Sequence, residues 1–123
     1  MLVKKVTLVI NTGCTKGDVL TNEAGAGFTQ ADAGDSRPFV VARETVVAPT
    51  DGSQATCMAI VEGHTTFNKV TGTAINELQP LKAADAGKVT AAVPGTDLVN
   101  LWVGYAWIPS VSGATTAYGV IDQ

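Results

Sequence analysis

The side chains able to do chemistry near neutral pH are few: one histidine, His64, two cysteines, Cys14 and Cys57, and a spread of aspartates. A histidine metal site needs further ligands at close spacing, and no His/Cys/Asp pattern around His64 supplies them. A Ser-His-Asp relay needs an activated serine, and no G-x-S-x-G elbow occurs. Because it follows Gly63 at what reads as a strand end, His64 is expected to be a solvated turn residue. Cys14 and Cys57 are a sparse disulfide framework for this length, and Cys57 alternates within an apolar run like a small buried hydrophobe. Gly25-Ala26-Gly27 is half of a dinucleotide fingerprint, lacking the third glycine and a following helix. Gly87-Lys88 lacks the upstream glycine and the Ser/Thr of a phosphate loop. Asp18, Asp32, Asp35, Asp51 and Asp85 all sit in turn contexts, where a carboxylate caps backbone N–H groups; no loop gathers the three carboxylates that Ca²⁺ favours. With no convergent acid, base and nucleophile, the expectation is a protein that is not an enzyme and needs no cofactor or metal. Trp102 and Trp107 remain. On a regular strand they point to opposite faces, so one is expected in the core and the other can anchor a partner.

The elements that must position these residues read as strands. Val6, Leu8 and Ile10 alternate in a first strand, and residues 38–43 form a clear later one. Residues 55–62 make a strand with Met58 and Ile60 on one face and Cys57, Ala59 and Val61 on the other. Gly63-His64 is expected to end it, with a separate short strand over 65–70. The longest landmark runs from Asn76 to Ile108. Leu78 and Leu81 flank Pro80, Asp85-Ala86-Gly87-Lys88 reads as a tight turn, and residues 89–93 return as a strand. Residues 98–108 follow as the most apolar run, expected to be a strand buried on both faces. Gly104 in its middle suggests a bulge, a bend or close backbone approach. A short helical turn is expected near residues 81–84. Residues 118–121 close the chain as a last strand. Helix-period patterning is nearly absent and turn signals recur about every ten residues, which points to an all-β sandwich or barrel.

A weak internal repeat runs through this grammar. Lys16-Gly17-Asp18-Val19-Leu20, Gly27-Phe28-Thr29 and Phe39-Val40-Val41-Ala42 form one copy. Residues 75–81, Gly87-Lys88-Val89-Thr90 and Trp102-Val103-Gly104-Tyr105-Ala106 form the other. Each copy is a polar turn, an apolar pair, a glycine turn and an aromatic-containing strand.

Composition bounds the function. The 123 residues suit one domain with a sizeable core. Only 15% of them are charged, against roughly a quarter in ordinary domains, so the surface is largely Thr, Ser, Asn, Gly and Ala. Interface cores are depleted in charge, so such a surface suits a protein held against partners. The net charge is −3, and Lys and Arg do not cluster beyond Lys4-Lys5, so no nucleic-acid footprint is visible. No apolar run reaches the about 18 residues of a membrane span. The apolar run after Lys4-Lys5 is too short for a signal peptide and no small-residue cleavage site follows, so the protein is expected to stay in the cytosol or leave it inside a particle.

In the landmark stretch, Asn76-Glu77-Leu78-Gln79-Pro80-Leu81, Asp85-Ala86-Gly87-Lys88-Val89 and Val103-Gly104-Tyr105-Ala106 resemble the "lxpl … dGkv … vGyAl" run of the capsid decoration, or cement, proteins of tailed phages. Gly17-Asp18-Val19-Leu20 resembles that family's early "GdvL", and Val61-Glu62-Gly63 its central "veG". The likeness spans about residues 13–121, through short structural motifs. It departs at residues 53–70 and in the Trp-rich late strand. The resemblance implies a small β-barrel or sandwich of SH3-like or β-tulip type: residues 1–12 as an N-terminal strand or arm, and 13–123 as one decoration domain. It further implies docking on the exterior of the assembled head between major capsid subunits, often as a homotrimer, made in the host cytoplasm and carried on the virion. Neither nucleic acid nor membrane is expected as a partner. Leu2, Val3, Val6, Leu8, Trp102 and Trp107 are the expected partner-binding residues, the first four by adding residues 2–10 to a neighbour's sheet edge. Two rivals stand beside this. A biotinyl- or lipoyl-type carrier would modify Lys88 on its turn, although the usual flanking context is missing. A phage tail, fibre or adhesin-type carbohydrate-binding domain would use an exposed Trp.

Overall fold

The computed structural model describes residues 3–10, 13–23, 27–48, 50–51, 53 and 55–121. Leu2, and Asn11, Thr12, Gly25, Ala26 and Gly52, which the sequence reading assigned to turns and loops, lie outside this set. Nine strands follow one another: β1 (Lys4–Ile10), β2 (Val19–Glu23), β3 (Gly27–Gln30), β4 (Phe39–Ala42), β5 (Ala55–Asn68), β6 (Pro80–Ala83), β7 (Val89–Ala91), β8 (Trp102–Ala106) and β9 (Thr116–Ile121). Two 3-10 turns, Asp85–Gly87 and Val99–Leu101, are the helical elements among the described residues. The chain is thus all-β, as the turn spacing and strand periodicity require.

The strands form one nine-stranded sheet in the order β1-β3-β2-β4-β5-β9-β8-β6-β7, and β1 also pairs with β5. That extra pairing runs antiparallel from Lys4 opposite Glu62 to Ile10 opposite Ala55, and it closes β1, β3, β2, β4 and β5 into a five-stranded ring. The N-terminal strand is therefore zipped along one edge to its own chain. The second half of β5 pairs with β9, and β9, β8, β6 and β7 continue from it. A parallel bridge between Lys69 and Val89 brings β7 back to the end of β5, so a second ring closes on the first with β5 common to both.

β5 differs from expectation. It runs unbroken through Gly63 and His64. Gly63 adopts φ 121°, a conformation open to a residue without Cβ, and the strand bends there and changes ring instead of stopping. The helical turn expected near residues 81–84 is not formed: Pro80–Ala83 is strand β6, because Leu81 and Ala83 alternate inward with Pro80 and Lys82. The 98–108 run is also shorter than its apolar pattern suggests. Asp97 accepts the Val93 N–H at 2.8 Å and the Lys82 ammonium at 3.0 Å, a turn follows over 98–101, and regular pairing begins only at Trp102. Leu98, Val99, Trp107 and Ile108 are left exposed at its two ends.

The repeat is visible as wiring. In the first ring β2 pairs with β3 and β4, and β4 with β5; in the second, β6 pairs with β7 and β8, and β8 with β9. The registers agree. Leu20 faces Gln30 and Val40, and Leu81 faces Ala91 and Gly104. Ala42 faces Ala59, and Ala106 faces Gly119. Irregular contacts repeat too: Cys14 exchanges backbone bonds with Val46, and Ile75 with Ser110. The Thr15 N–H binds the Asp18 carboxylate at 2.8 Å, and the Asn76 N–H binds the Gln79 side-chain Oε1 at 2.9 Å. Ile10 bridges Phe28 where Lys69 bridges Val89, so Lys69, 1% exposed, stands where the first ring has Ile10. Its ammonium lies 3.1–3.4 Å from the carbonyls of Val70, Val111, Ser112 and Ala114, which satisfies a charge that burial would otherwise penalise.

Two apolar clusters fill this frame. One belongs to the first ring and includes Ile10, Leu20, Val40, Cys57 and Ala59. The other joins Val19, Phe39 and Val41 of the first ring to Phe67, Leu81, Val103 and Ile121 of the second, so the rings pack as one body. Cys14 and Cys57 are free thiols, both buried, with sulfurs 3.7 Å apart. Burial raises both thiols, Cys57 up to about 12 from 9.0 with the Cys14 sulfur adding to the shift. A thiol raised in the folded state keeps its full stabilising contribution below its unfolded value and loses it as pH rises. The unfolding midpoint in urea should therefore hold up to about pH 9 and then fall toward about pH 12. A Cys14→Ala/Cys57→Ala variant should flatten that slope, and native protein near pH 8 should resist thiol reagents that modify both cysteines in urea.

Candidate partner-binding surface

β8 and β9 are paired, and the pairing continues one step beyond β8: the Trp107 N–H donates to the Tyr118 carbonyl at 2.9 Å. This sets Trp107 beside Tyr118 at the sheet surface, 47% and 39% exposed. His64 on β5 completes a cluster with them. Its ring meets Trp107 edge-on, centroids 5.3 Å apart, and stacks on Tyr118 at 5.8 Å. His64 is thus a half-buried strand residue between two aromatic rings, and the expected solvated turn residue is corrected: the Gly63 bend keeps it in the strand. Its Nδ1 is buried without a hydrogen-bond partner. A groove of about 440 Å³ lined by Lys16, Arg43, His64 and Tyr118 among others borders the cluster. Rigid aromatics with a cationic rim have the composition of an interface hot spot.

The expected binding residues fall in two places. Val3 and Val6 are exposed on or just before β1, while Leu8 is half-buried against the first-ring cluster. Trp107 lies just past one end of β8 and Trp102 begins the other. Trp102 is half-buried, with its indole Nε1 shielded and unpaired. β1 and β8 sit in different rings and do not pair. Sequence reading missed His64 and Tyr118 as neighbours of Trp107. The available signal was alternation: Tyr118 and Val120 face Thr66 and His64 once β5 is read as a single strand.

A further polar feature, a cleft of about 870 Å³ between the rings, is lined by Asp18, Gln30, Asn68, Asp85 and Lys88 among others. Its carboxylates are occupied. Asp18 accepts from Thr15 N–H at 2.8 Å, Gln30 Nε2 at 2.7 Å and Asn68 Nδ2 at 2.8 Å. Asp85 accepts from the Ala33 N–H and Asp32 from the Ala86 N–H, both at 3.1 Å. These are turn and seam bonds that tie the two rings together. Among the described residues no group of three or more His, Cys, Asp or Glu is placed to hold a metal ion.

Over almost its whole length this fold is similar to a known one. The N base of head fiber gp8.5 of bacteriophage phi29 superposes with a TM-score of 0.68, covering 98% of this chain and 95% of that one at 16% identity. No family model and no curated protein matches the sequence. At that identity the likeness speaks for the fold alone, which another chain adopts with largely different residues.

Proposed function

We propose that this protein is a structural component of a phage head, docking on the exterior of the assembled shell as a decoration, or cement, protein. The observation that carries the reading is the end-to-end fold likeness to the base of a phage head fiber. The low charge of the chain and the exposed Trp107–His64–Tyr118 patch support it. In this reading the partner is the major capsid protein, and the chain acts as a homo-oligomer, a trimer being the favoured form. The action is adhesive. Apolar area buried against two neighbouring subunits contributes about 25 cal/mol per Å² before association costs, and repetition over a shell multiplies a modest footprint into resistance to DNA pressure. A second reading, the base of a longer head fibre, is favoured by the neighbour's own description and uses the same docking surface.

Cosedimentation of the purified protein with expanded, undecorated heads tests this. Saturable binding is expected, and Trp107→Ala should weaken it by at least about tenfold, the loss typical of a truncated aromatic anchor. Absence of binding, with retention on a glycan array instead, would move the protein to the adhesin class.

A further inference from the structure

We propose that residues 76–79 of one copy of this chain dock, head to tail, on the outer edge of β1 of a second copy. The pattern is the one already used inside the chain, where residues 15–18 dock on the second half of β5. This deepens the self-association proposed above, yet it rests on the repeat and not on capsid binding.

The internal seam supplies the template. The turn before β2 covers the edge of β5 that faces away from β9. The Asn68 N–H donates to the Gly17 carbonyl at 2.9 Å, and Asn68 Nδ2 donates to the Lys16 carbonyl at 2.9 Å and to Asp18. A Cβ on Gly17 would stand 2.9 Å from the Asn68 side-chain oxygen, so the turn is seated directly on that residue. Lys16 and His64 line the same groove.

Both halves of this contact exist a second time, and among the described residues they do not meet each other. The turn before β6 has the same form, with Leu78 at φ 60° where Gly17 has φ 94°; Glu77 is exposed and Leu78 is 57% exposed. By the bridge registers, β1 is to the first ring what the second half of β5 is to the second, which sets Val9 at the Asn68 position and Lys5 at the His64 position. Val9 is 42% exposed and Lys5 is exposed. Among the described residues β3 meets β1 at Ile10 and, through Gly27, at the Val9 carbonyl, so the edge away from β5 has no strand alongside from Lys4 to Leu8, and at Val9 the side chain stays 42% exposed.

The residues have changed together. The polar Gly17–Asn68 contact becomes Leu78 against Val9, two exposed apolar side chains that would cover each other. Lys16 beside His64 becomes Glu77 beside Lys5, a pair of opposite charge. A leucine at positive φ is strained, and glycine would hold the same turn without that cost. Its presence on an exposed turn is accounted for by the side chain it offers a neighbour. The same placement sets Ile121 of one copy near Lys4 of the next, as Val61 precedes Gly63 within β5. Such a contact is heterologous, so it closes into a ring or runs on as a filament.

Sizing by light scattering across a concentration series, with charge reversal, tests the contact. Lys5→Glu and Glu77→Lys should each raise the dissociation constant at least tenfold, and the two together in one chain should restore assembly. Leu78→Gly should weaken assembly while leaving the unfolding midpoint unchanged or higher, opposite directions that a folding defect cannot produce. In a Val9→Cys/Leu78→Cys chain, oxidation should link copies to one another, while either single variant stays unlinked; Cys14 and Cys57 are buried and do not compete. A wild-type chain that is monomeric at every concentration, charge reversals without effect, or single-cysteine variants that link to themselves would each overturn the proposal. A monomer that still sediments with heads would overturn this surface and leave the capsid reading standing.

Discussion

Replacing Gly104 by alanine should destabilise the fold by at least about 3 kcal/mol, the largest effect expected from adding one methyl group to this protein. Gly104 is paired on both sides, with Leu81 on β6 and Ile121 on β9. A Cβ built on it would fall on the Val120 carbonyl oxygen, with the Val120 carbonyl carbon at 2.9 Å and the Ile121 Cα at 3.0 Å. All three are backbone atoms of the paired strand, so no side chain can rotate away and relief requires β8 and β9 to part. The first ring holds Val40 at the corresponding place, so the need for glycine comes from the closeness of β8 to β9 and not from the wiring. Urea unfolding monitored by tryptophan fluorescence would give the midpoint shift. A loss under about 1 kcal/mol would mean that the two strands are further apart than described.

The second large loss is expected from Asp18→Ala, about 3 kcal/mol. Asp18 is 3% exposed and its carboxylate holds three donors from three elements: the turn before β2, Gln30 on β3 and Asn68 on β5. Alanine leaves all three part-buried donors without their shared acceptor, and a donor left unmet costs more than the bond itself contributed. Asp18→Asn retains an acceptor and should cost less than half as much. The Asn68 bond ties the first ring to the second, so the alanine variant should also expose amides of the 76–79 region and of β9 to hydrogen exchange before the first ring opens. Equal costs for the two substitutions would show that the network carries little of the seam's stability.

What the sequence disclosed follows the range of the forces involved. Turn chemistry is local, so Asp18, Asp35 and Asp51 could be read as caps, and each does accept a backbone N–H two or three residues away. Alternation placed β1, whose Leu8 and Ile10 turn to the first-ring cluster, and a continuous apolar run marked β4, which is buried throughout. The repeat was legible because Leu20 and Leu81, Thr29 and Thr90, and Ala42 and Ala106 hold the same register positions. Ring closure was not legible. The β1–β5 pairing joins residues far apart in sequence, and nothing near Val6 specifies Ala59 as its partner. The 98–101 segment looked like strand because apolar residues also serve an exposed turn when Asp97 fixes the chain ahead of it. His64 was misplaced for a related reason: a glycine that bends a strand and a glycine that ends one look alike in one dimension.

Cryo-electron microscopy of virions with and without this protein tests the central claim most directly. The account predicts difference density confined to the outer surface of the head, at junctions between capsid subunits, of a size and shape matching the two-ring module, with the Trp107–His64–Tyr118 patch turned toward the shell. Density on the tail or inside the head, or identical maps from the two preparations, would contradict it.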